Sequence, residues 1–276
     1  MPPMNERNVF ITGGSRGIGL AIATRLAQDG ARIALMAKTD QPHPRLPGTI
    51  HTAAEEIRAA GGEALPIVGD VRDADAVKQA VDRAAEQFGG IDILINNASA
   101  INLAPIGDVE VKRFDLMLQI NARGTFVATK ACLPHLRESD HAHVLTLSPP
   151  VDRVERWLAG AAPYTLTKMG MTMLTLGLSH DEPGIAANCL WPRTVIATAA
   201  VQNLLGGDET MSKARTPQIV ADAAYEILRR SPGEATGRVF IDDEVLAEAG
   251  VTDFDRYAAA PGGELALDLY VDGWLE

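Results

Sequence analysis

The chain has 276 residues, 46% of them apolar and 22% charged, a composition that can bury a large core and is too apolar to stay disordered. Its 36 acidic and 25 basic side chains give a formal net charge of −11, which repels phosphate backbones and anionic bilayers, so neither nucleic acid nor a membrane is an expected partner. Two cysteines, Cys132 and Cys189, are too few for a disulfide framework or a thiolate metal site, and the expected setting is a reducing cytoplasm. The opening MPPMNERNVF lacks the basic start and apolar stretch of an export signal, and no run of about 18 uncharged apolar residues predicts a spanning helix.

Residues 8–12 form an apolar run that closes on glycines and predict a strand. Residues 18–28 predict an amphipathic helix ending near Gly30. A buried strand is expected over 32–37, after which Pro42, Pro44, Pro47 and Gly48 forbid a regular element. Thr52, three residues before Glu55, predicts a capping box at the next helix, which Gly61 and Gly62 end. A third strand covers 64–68, and Asp73 caps a helix whose stripe is Val77, Ala80, Val81, Ala84, Ala85 and Phe88. A fourth strand at 91–96 precedes two helices over 110–136, broken near 121–124. Strand 143–147, helix 164–178 and strand 186–190 follow. Thr216 and Pro217 open a helix striped through Leu228, and the last strand is 238–241.

This alternation predicts an α/β fold: a Rossmann-like doubly wound parallel sheet of about seven strands with helices on both faces. No linker interrupts it, so one domain is expected over 1–276, with substrate-side excursions at about 149–162 and 194–215. The second of these, rich in glycine and polar residues, is a candidate lid.

The turn TGGSRGIG, residues 12–19, lies between the first strand and first helix, where backbone amides meet an anion. Gly13 suits left-handed angles, Gly17 a close pyrophosphate, and Gly19 tight packing of helix on strand; Thr12, Ser15, Arg16 and Ile18 complete the turn. The second strand ends at Ala37 and Lys38 instead of the acid that would hold a ribose diol. With Arg16 in the glycine turn, two cations at that edge favour a 2'-phosphate and hence NADP(H), with Asp40 as the counter-indication.

The spacing Gly-x-x-x-Gly-x-Gly, followed in order by NNAS (96–99), NARG (121–124) and YTLTK (164–168), resembles the short-chain dehydrogenase/reductase family over about residues 7–242. The stretches AKTDQPHPRLPGTI, SPP and NCLWPRT look closest to its hydroxysteroid dehydrogenase-like protein 2 subgroup. The resemblance implies that Asp70 and Val71 meet the adenine, that Asn97 and Ala98 lie along the adenosine side, and that Pro192 and Thr194 approach the pyrophosphate and amide. It also implies that Tyr164 exchanges a proton with the substrate oxygen, and that Lys168 promotes its ionisation and holds the nicotinamide ribose. Tyr164 and Lys168, four residues apart on a helix, emerge on one face. Asn121 would serve a proton relay, its amide holding a backbone carbonyl or a water.

Three positions depart from the pattern. Ser99 replaces a glycine, with a small backbone adjustment expected. Arg193 replaces another, and meets an acidic substrate or faces water. Pro149 replaces the catalytic serine, leaving Ser148 as an oxyanion donor only if the strand end bends before Pro149, since neighbouring strand residues point to opposite faces. His141 and His143, with no third ligand in view, read as a solvated turn before a zinc site. Trp157, Leu158 and Trp191 are candidates to line a pocket, and the tail 254–276 to close over the site or complete a subunit contact. The expected function is hydride transfer between NADP(H) and a small-molecule carbonyl or secondary alcohol, possibly of lipid character, in a homotetramer or homodimer. The alternative is an NADP-binding scaffold or regulatory protein with little turnover, motivated by Pro149.

Overall fold

A computed structural model describes residues 4–42, 48–151 and 157–273. Pro44 and Pro47, which anchored the expected break after the second strand, lie outside the described residues. Seven strands, β1 (Asn8–Thr12), β2 (Arg32–Ala37), β3 (Glu63–Val68), β4 (Ile93–Asn96), β5 (His143–Leu147), β6 (Ala186–Trp191) and β7 (Val239–Ile241), form one sheet in the order β3-β2-β1-β4-β5-β6-β7. Every neighbouring pair is parallel.

The sheet is covered on both sides, which is why β1, β4, β5 and β6 are buried along their whole length and read as unbroken apolar runs. Alternate residues divide between two cores. Val9, Ile11, Ile33 and Leu35 pack under α1 (Gly17–Ala27), α2 (Ile50–Ala59) and α9 (Gln218–Leu228). Phe10, Ala34, Met36 and Leu94 pack under α3 (Ala74–Phe88) and α5 (Gly124–Leu136). Strand β1 lies between β2 and β4, so the chain's direction of progress across the sheet reverses there, and a crevice opens at the carboxyl ends of those strands.

Four details differ from expectation. The capping box of α2 forms one turn earlier: Thr49 accepts from the Thr52 amide at 3.2 Å, and the Thr52 hydroxyl accepts from the Thr49 amide at 2.8 Å. A hydroxyl at the third helical position does the work assigned to the Glu55 carboxylate. The expected break near 121–124 is a π-helical turn, Gln119–Arg123, joining α4 (Val111–Leu118) to α5 without interruption. Its wider loop absorbs an extra residue while the helix continues. The 194–215 excursion folds as two short helices, α7 (Ala199–Leu204), capped by Thr198, and α8 (Gly207–Ser212). Finally, α10 (Asp242–Glu248) follows β7 directly, with Asp242, Asp243 and Glu244 in its first turn, where the helix end favours negative charge.

The long helix α6 (Ala162–Asp181) crosses the substrate side of the sheet, and the chain end returns over it. Val195 donates its amide to the Ala266 carbonyl at 3.0 Å and Asp268 donates to the Arg193 carbonyl at 2.9 Å, a short antiparallel contact between 193–195 and 266–268. Among the described residues no helix is long and apolar enough to cross a membrane.

Candidate active site

The crevice holds a cleft of about 640 Å³. Of the predicted nucleotide residues, Gly13, Ser15, Arg16, Gly17, Ile18, Lys38, Asp70, Val71, Asn97 and Ala98 line it. The glycine turn is built for close approach. Gly13 has φ +72°, and a Cβ there would stand 2.9 Å from the Ala98 Cα; Gly17 has φ +58°. A side chain at Gly13 would collide with the chain after β4, and one at Gly17 would reach 3.4 Å from Thr198 across the cleft, so the turn stays bare and its amides open to a dinucleotide's phosphates. Thr12 and Gly19 support this turn and do not line the cleft. The Thr12 hydroxyl accepts from the amides of Asn97 and Ala98, each at 3.2 Å. A Cβ on Gly19 would sit 2.4 Å from the Asn97 amide nitrogen, which itself donates to the carbonyls of Thr12 and Gly13 at 3.0 Å. The two chain segments that flank the phosphate path are thereby locked together.

At the tip of β2, Ala37, Lys38 and Thr39 face the cleft. Asp40 is drawn away to His51, 2.7 Å from its imidazole. Arg16 also lines the cleft and donates to the Gly48 carbonyl at 3.1 Å. Asp70 is paired with Arg72 at 2.6 Å, and that guanidinium holds its carboxyl below the usual range. The far wall is α7, through Thr198, Ala199 and Asn203. The candidate lid therefore packs over the nucleotide end.

Beyond Ser99 the cleft gives way to a drier region. Tyr164 and Lys168, one turn apart on α6, are both buried. The Lys168 ammonium donates to the Leu147 carbonyl at 2.6 Å and lies 5.0 Å above the Trp191 ring. Burial lowers its pKa to about 7, against the pull of Cys189 and Asp268. Burial raises the Tyr164 phenol well above its ordinary value, reinforced by Tyr270 and Asp268 and opposed by the nearby Ser99 side chain. Asn121, fully buried in the π-helical turn, grips Ala100 on both sides: its Oδ1 accepts from the Ala100 amide at 2.7 Å and its Nδ2 donates to the Ala100 carbonyl at 3.0 Å. The same Nδ2 donates to Thr167 Oγ1 at 2.9 Å, and Thr167 donates to the Tyr164 carbonyl at 2.8 Å. The Asn121 amide thus holds a backbone carbonyl, one of the two partners expected for it.

The chain end roofs this region. Tyr270 packs edge-on against Trp157 and Trp191, with ring centroids 5.7 and 5.8 Å away, and its hydroxyl meets Thr165 Oγ1 at 3.0 Å. Trp191 Nε1 donates to the Leu269 carbonyl at 2.7 Å. The described part of the tail thus packs over the Tyr164 region. Leu158, exposed, lines a separate apolar groove together with Phe114 and Met169. Thr194 is buried beneath the returning chain, its hydroxyl without a partner among the described residues, which fits a group waiting for a ligand.

Arg193 neither faces water nor reaches toward a substrate. It is buried, its Nε donating to both oxygens of Asp243 at 2.7 and 2.8 Å, one terminal nitrogen to Glu244 at 2.6 Å and the other to the Gly273 carbonyl at 2.8 Å. It ties β6, the first turn of α10 and the chain end into one body, with Arg215 joining through Asp243 at 3.2 Å. The histidines are likewise not a solvated turn. Both are buried, and their Nε2 atoms meet the carbonyls of Leu228 and Arg230 at 2.7 and 3.1 Å, satisfying the exposed end of α9. Burial holds His143 at a pKa of about 3, so it is neutral. Among the described residues no cluster of three metal-binding side chains occurs.

The strand end does bend at Ser148, whose amide donates to the Thr146 carbonyl at 2.9 Å. The bend leaves its hydroxyl fully buried and without a hydrogen-bond partner among the described residues, while the Pro149 carbonyl accepts from Thr172 at 2.7 Å. Sequence reasoning missed Asp268 and Tyr270, which carry no motif, and gave no role to Thr167 inside YTLTK. Ser99 was noticed only as a departure from glycine, and that departure was the available signal.

The model of the short chain dehydrogenase family matches residues 7–207. Hydroxysteroid dehydrogenase-like protein 2 of Danio rerio is 51% identical over 266 residues, covering 96% of this chain and 64% of that protein; the human protein of that name is 51% identical over 269 residues, 97% and 64%. This chain thus spans less than two thirds of the length of these relatives. A solved short chain dehydrogenase of Mycobacterium thermoresistibile superposes with a TM-score of 0.92 at 55% identity, covering 98% of this chain and 96% of that one. A Xanthomonas campestris structure superposes with 0.95 at 50% identity, covering 99% and 100%. The matched model, these identities and the paired Tyr164 and Lys168 beside a glycine-turn cleft agree: the chain belongs to the short-chain dehydrogenase/reductase family, close to its hydroxysteroid dehydrogenase-like protein 2 subgroup.

Proposed function

We propose that the chain is an NADP(H)-dependent oxidoreductase interconverting a carbonyl and a secondary alcohol. The observation that carries this reading is the pair Tyr164 and Lys168, buried one turn apart on α6, in a chain whose glycine turn opens a dinucleotide-sized cleft. A dinucleotide in the cradle would bring its hydride-donating ring against the proton-donating phenol. Bound there, the nicotinamide supplies two electrons as hydride. In the direction of reduction Tyr164 Oη gives its proton to the substrate oxygen, and Lys168, one helical turn on, stabilises in its protonated form the phenolate left behind. The aromatic roof excludes water and strengthens both electrostatic effects.

Preference for NADP(H) is supported by Lys38 and Arg16 on the cleft wall and by the engagement of Asp40 with His51. A Burkholderia cenocepacia short chain dehydrogenase, 28% identical with a TM-score of 0.74 over 87% of this chain and 97% of that one, is solved in complex with NADP. Met117, Met169, Trp191 and Tyr270 around Tyr164 suit a moderately large apolar substrate of lipid character. The exposed Ile106, Val111, Leu166 and Met173, at the foot of α4 and along α6, support a homodimer or homotetramer, since so much apolar surface is costly in a monomer. One 276-residue domain in a cytoplasmic setting completes the reading.

Pro149 favours the second reading, a nucleotide-binding scaffold without efficient turnover. Consumption of NADPH against a broad panel of ketones and aldehydes decides between them. Consumption abolished by Tyr164→Phe supports the enzyme. Tight NADPH binding with any consumption insensitive to Tyr164→Phe supports the scaffold.

A further inference from the structure

A carbonyl reduced at this site must come within hydrogen-bond distance of the Tyr164 phenol, about 3 Å. The fold shuts that approach from solvent. Tyr164 is 5% exposed and Lys168 2%, and neither lines the nucleotide cleft. Some covering group has to withdraw, and the buried apolar neighbours packed with Tyr164 are Met117, Met169, Trp191, Ile241, Tyr270 and Val271. The first four stand on α4, α6, β6 and β7, whose backbone hydrogen bonds hold them in place. Tyr270 and Val271 belong to neither helix nor strand.

Their stretch is an arch pinned at both ends. Before it, the Ala266 carbonyl accepts from the Val195 amide at 3.0 Å and the Asp268 amide donates to the Arg193 carbonyl at 2.9 Å; after it, the Gly273 carbonyl accepts from the buried Arg193 guanidinium at 2.8 Å. Between these anchors two contacts keep it down. The Leu269 carbonyl accepts from Trp191 Nε1 at 2.7 Å. The Tyr270 ring stands edge-on to Trp157 and Trp191, 5.7 and 5.8 Å between centroids, and its hydroxyl is 3.0 Å from Thr165 Oγ1, on the residue that follows Tyr164. The Lys168 ammonium lies 5.0 Å from the centroid of the same Trp191 ring, so one indole packs against both the arch and the reaction centre.

The backbone beneath the Tyr270 ring is strained. Its φ is +69°, a sign shared by only one other non-glycine residue among those described, Glu6. A bulky side chain adopts that region only where its surroundings impose it. Here the ring's own contacts impose it, so contact and strain oppose each other in a single residue. When the ring withdraws, the backbone relaxes to negative φ and the way to Tyr164 opens. The anchors confine this movement to a crank of residues 269–272.

We propose that Tyr270 is the gate of the reaction centre: its ring, seated against Trp157 and Trp191, closes off Tyr164, and its withdrawal admits the carbonyl substrate. The proposal rests on the oxidoreductase reading. Tyr270 gives up no proton and forms no bond in the reaction. It sets the fraction of molecules open to substrate, and the apparent affinity for a carbonyl is reduced by that fraction. The nucleotide end, walled by the glycine turn, the tip of β2 and α7, lies outside its reach.

Nitration of the full chain by tetranitromethane reads the exposure of each phenol without a substrate, and the four tyrosines are separated by peptide mass spectrometry. Tyr257, 3% exposed in the core of the opposite face, is the reference for an intact fold. In the native chain Tyr164 is expected to react as slowly as Tyr257. Tyr270→Ala should nitrate Tyr164 at least about tenfold faster, as for a gate open in a tenth of native molecules or fewer, with Tyr257 still protected and calorimetric NADPH affinity unchanged. Tyr270→Phe keeps the ring and loses only the latch to Thr165. It should speed Tyr164 nitration, and lower KM for the best carbonyl of the panel with kcat unchanged, by about three- to tenfold, the worth of one net hydrogen bond. If Tyr270→Ala exposes Tyr257 as well, Tyr270→Phe alone decides. Native Tyr164 that nitrates as fast as in Tyr270→Ala overturns the gate, as does a Tyr270→Phe chain that matches the native one in both nitration and KM. If no carbonyl is turned over, nitration decides by itself. Full turnover by Tyr164→Phe overturns the oxidoreductase reading instead, a result that nitration cannot produce.

Discussion

The two ends of the cleft are built on opposite principles. The nucleotide end is made of short local pieces, each a turn or strand tip folded from adjacent residues, with backbone amides as its working groups. The chemical end is made of strangers. Tyr164 and Lys168 come from one helix, but what encloses and tunes them comes from Ser99, from Asn121 in a π-helical turn, and from Asp268 and Tyr270 near the chain's end. Local geometry can make an anion site; a shifted phenol and ammonium need desolvation, and desolvation needs distant parts of the chain folded over them.

If that contrast is right, the roof is held by Arg193, and its removal has the largest effect. Arg193→Ala leaves Asp243 buried without its closest cation and frees Gly273, so a loss of about 3–5 kcal/mol is expected in denaturant unfolding. Amide exchange should quicken at 266–273 and stay slow in the glycine turn. Equal loosening at both ends would erase the distinction. Tyr164→Phe comes next: turnover falls by at least about 100-fold, some 2.7 kcal/mol, with NADPH affinity nearly unchanged, because the phenol serves the chemical end alone. Gly19→Ala strikes the other end. The added methyl must displace the Asn97 amide, which it would meet at 2.4 Å, at a cost of about 1–3 kcal/mol for an overpacked site. NADPH affinity should fall with stability, read by titration and thermal melting. Lys38→Ala is the mildest, weakening NADPH by about tenfold, or 1.4 kcal/mol, while leaving NADH binding unaltered. Equal affinity of the native chain for the two nucleotides would remove the charge argument.

The same contrast explains what the sequence disclosed. Strand and helix order, the sheet type and the glycine turn follow from periodicity and local punctuation, and all seven strands fall within two residues of their expected bounds. Thr49 took the cap expected of Thr52 because a hydroxyl three residues on closes the box as well as a carboxylate does. Arg193 was misread because its partners Asp243, Glu244 and Gly273 lie 50 to 80 residues away, a separation no spacing rule spans. His141 and His143 looked solvated beside Asp140, yet they face the end of α9, and only the packing of that helix on the sheet makes them buried donors to its last carbonyls. The short helices α7 and α8 lack an apolar stripe long enough to announce themselves, so the stretch that forms a wall of the nucleotide cleft read as an irregular substrate-side lid.

The central claim is that hydride crosses from a nucleotide in the cleft to a carbonyl held at Tyr164. Reduced NADP bearing deuterium at the transferred position of its nicotinamide tests it directly, by mass spectrometry of the product alcohol. The account predicts one deuterium on the carbinol carbon with the native chain and none above background with Tyr164→Phe. A product that acquires its new hydrogen from water, or equal labelling by both proteins, would contradict it.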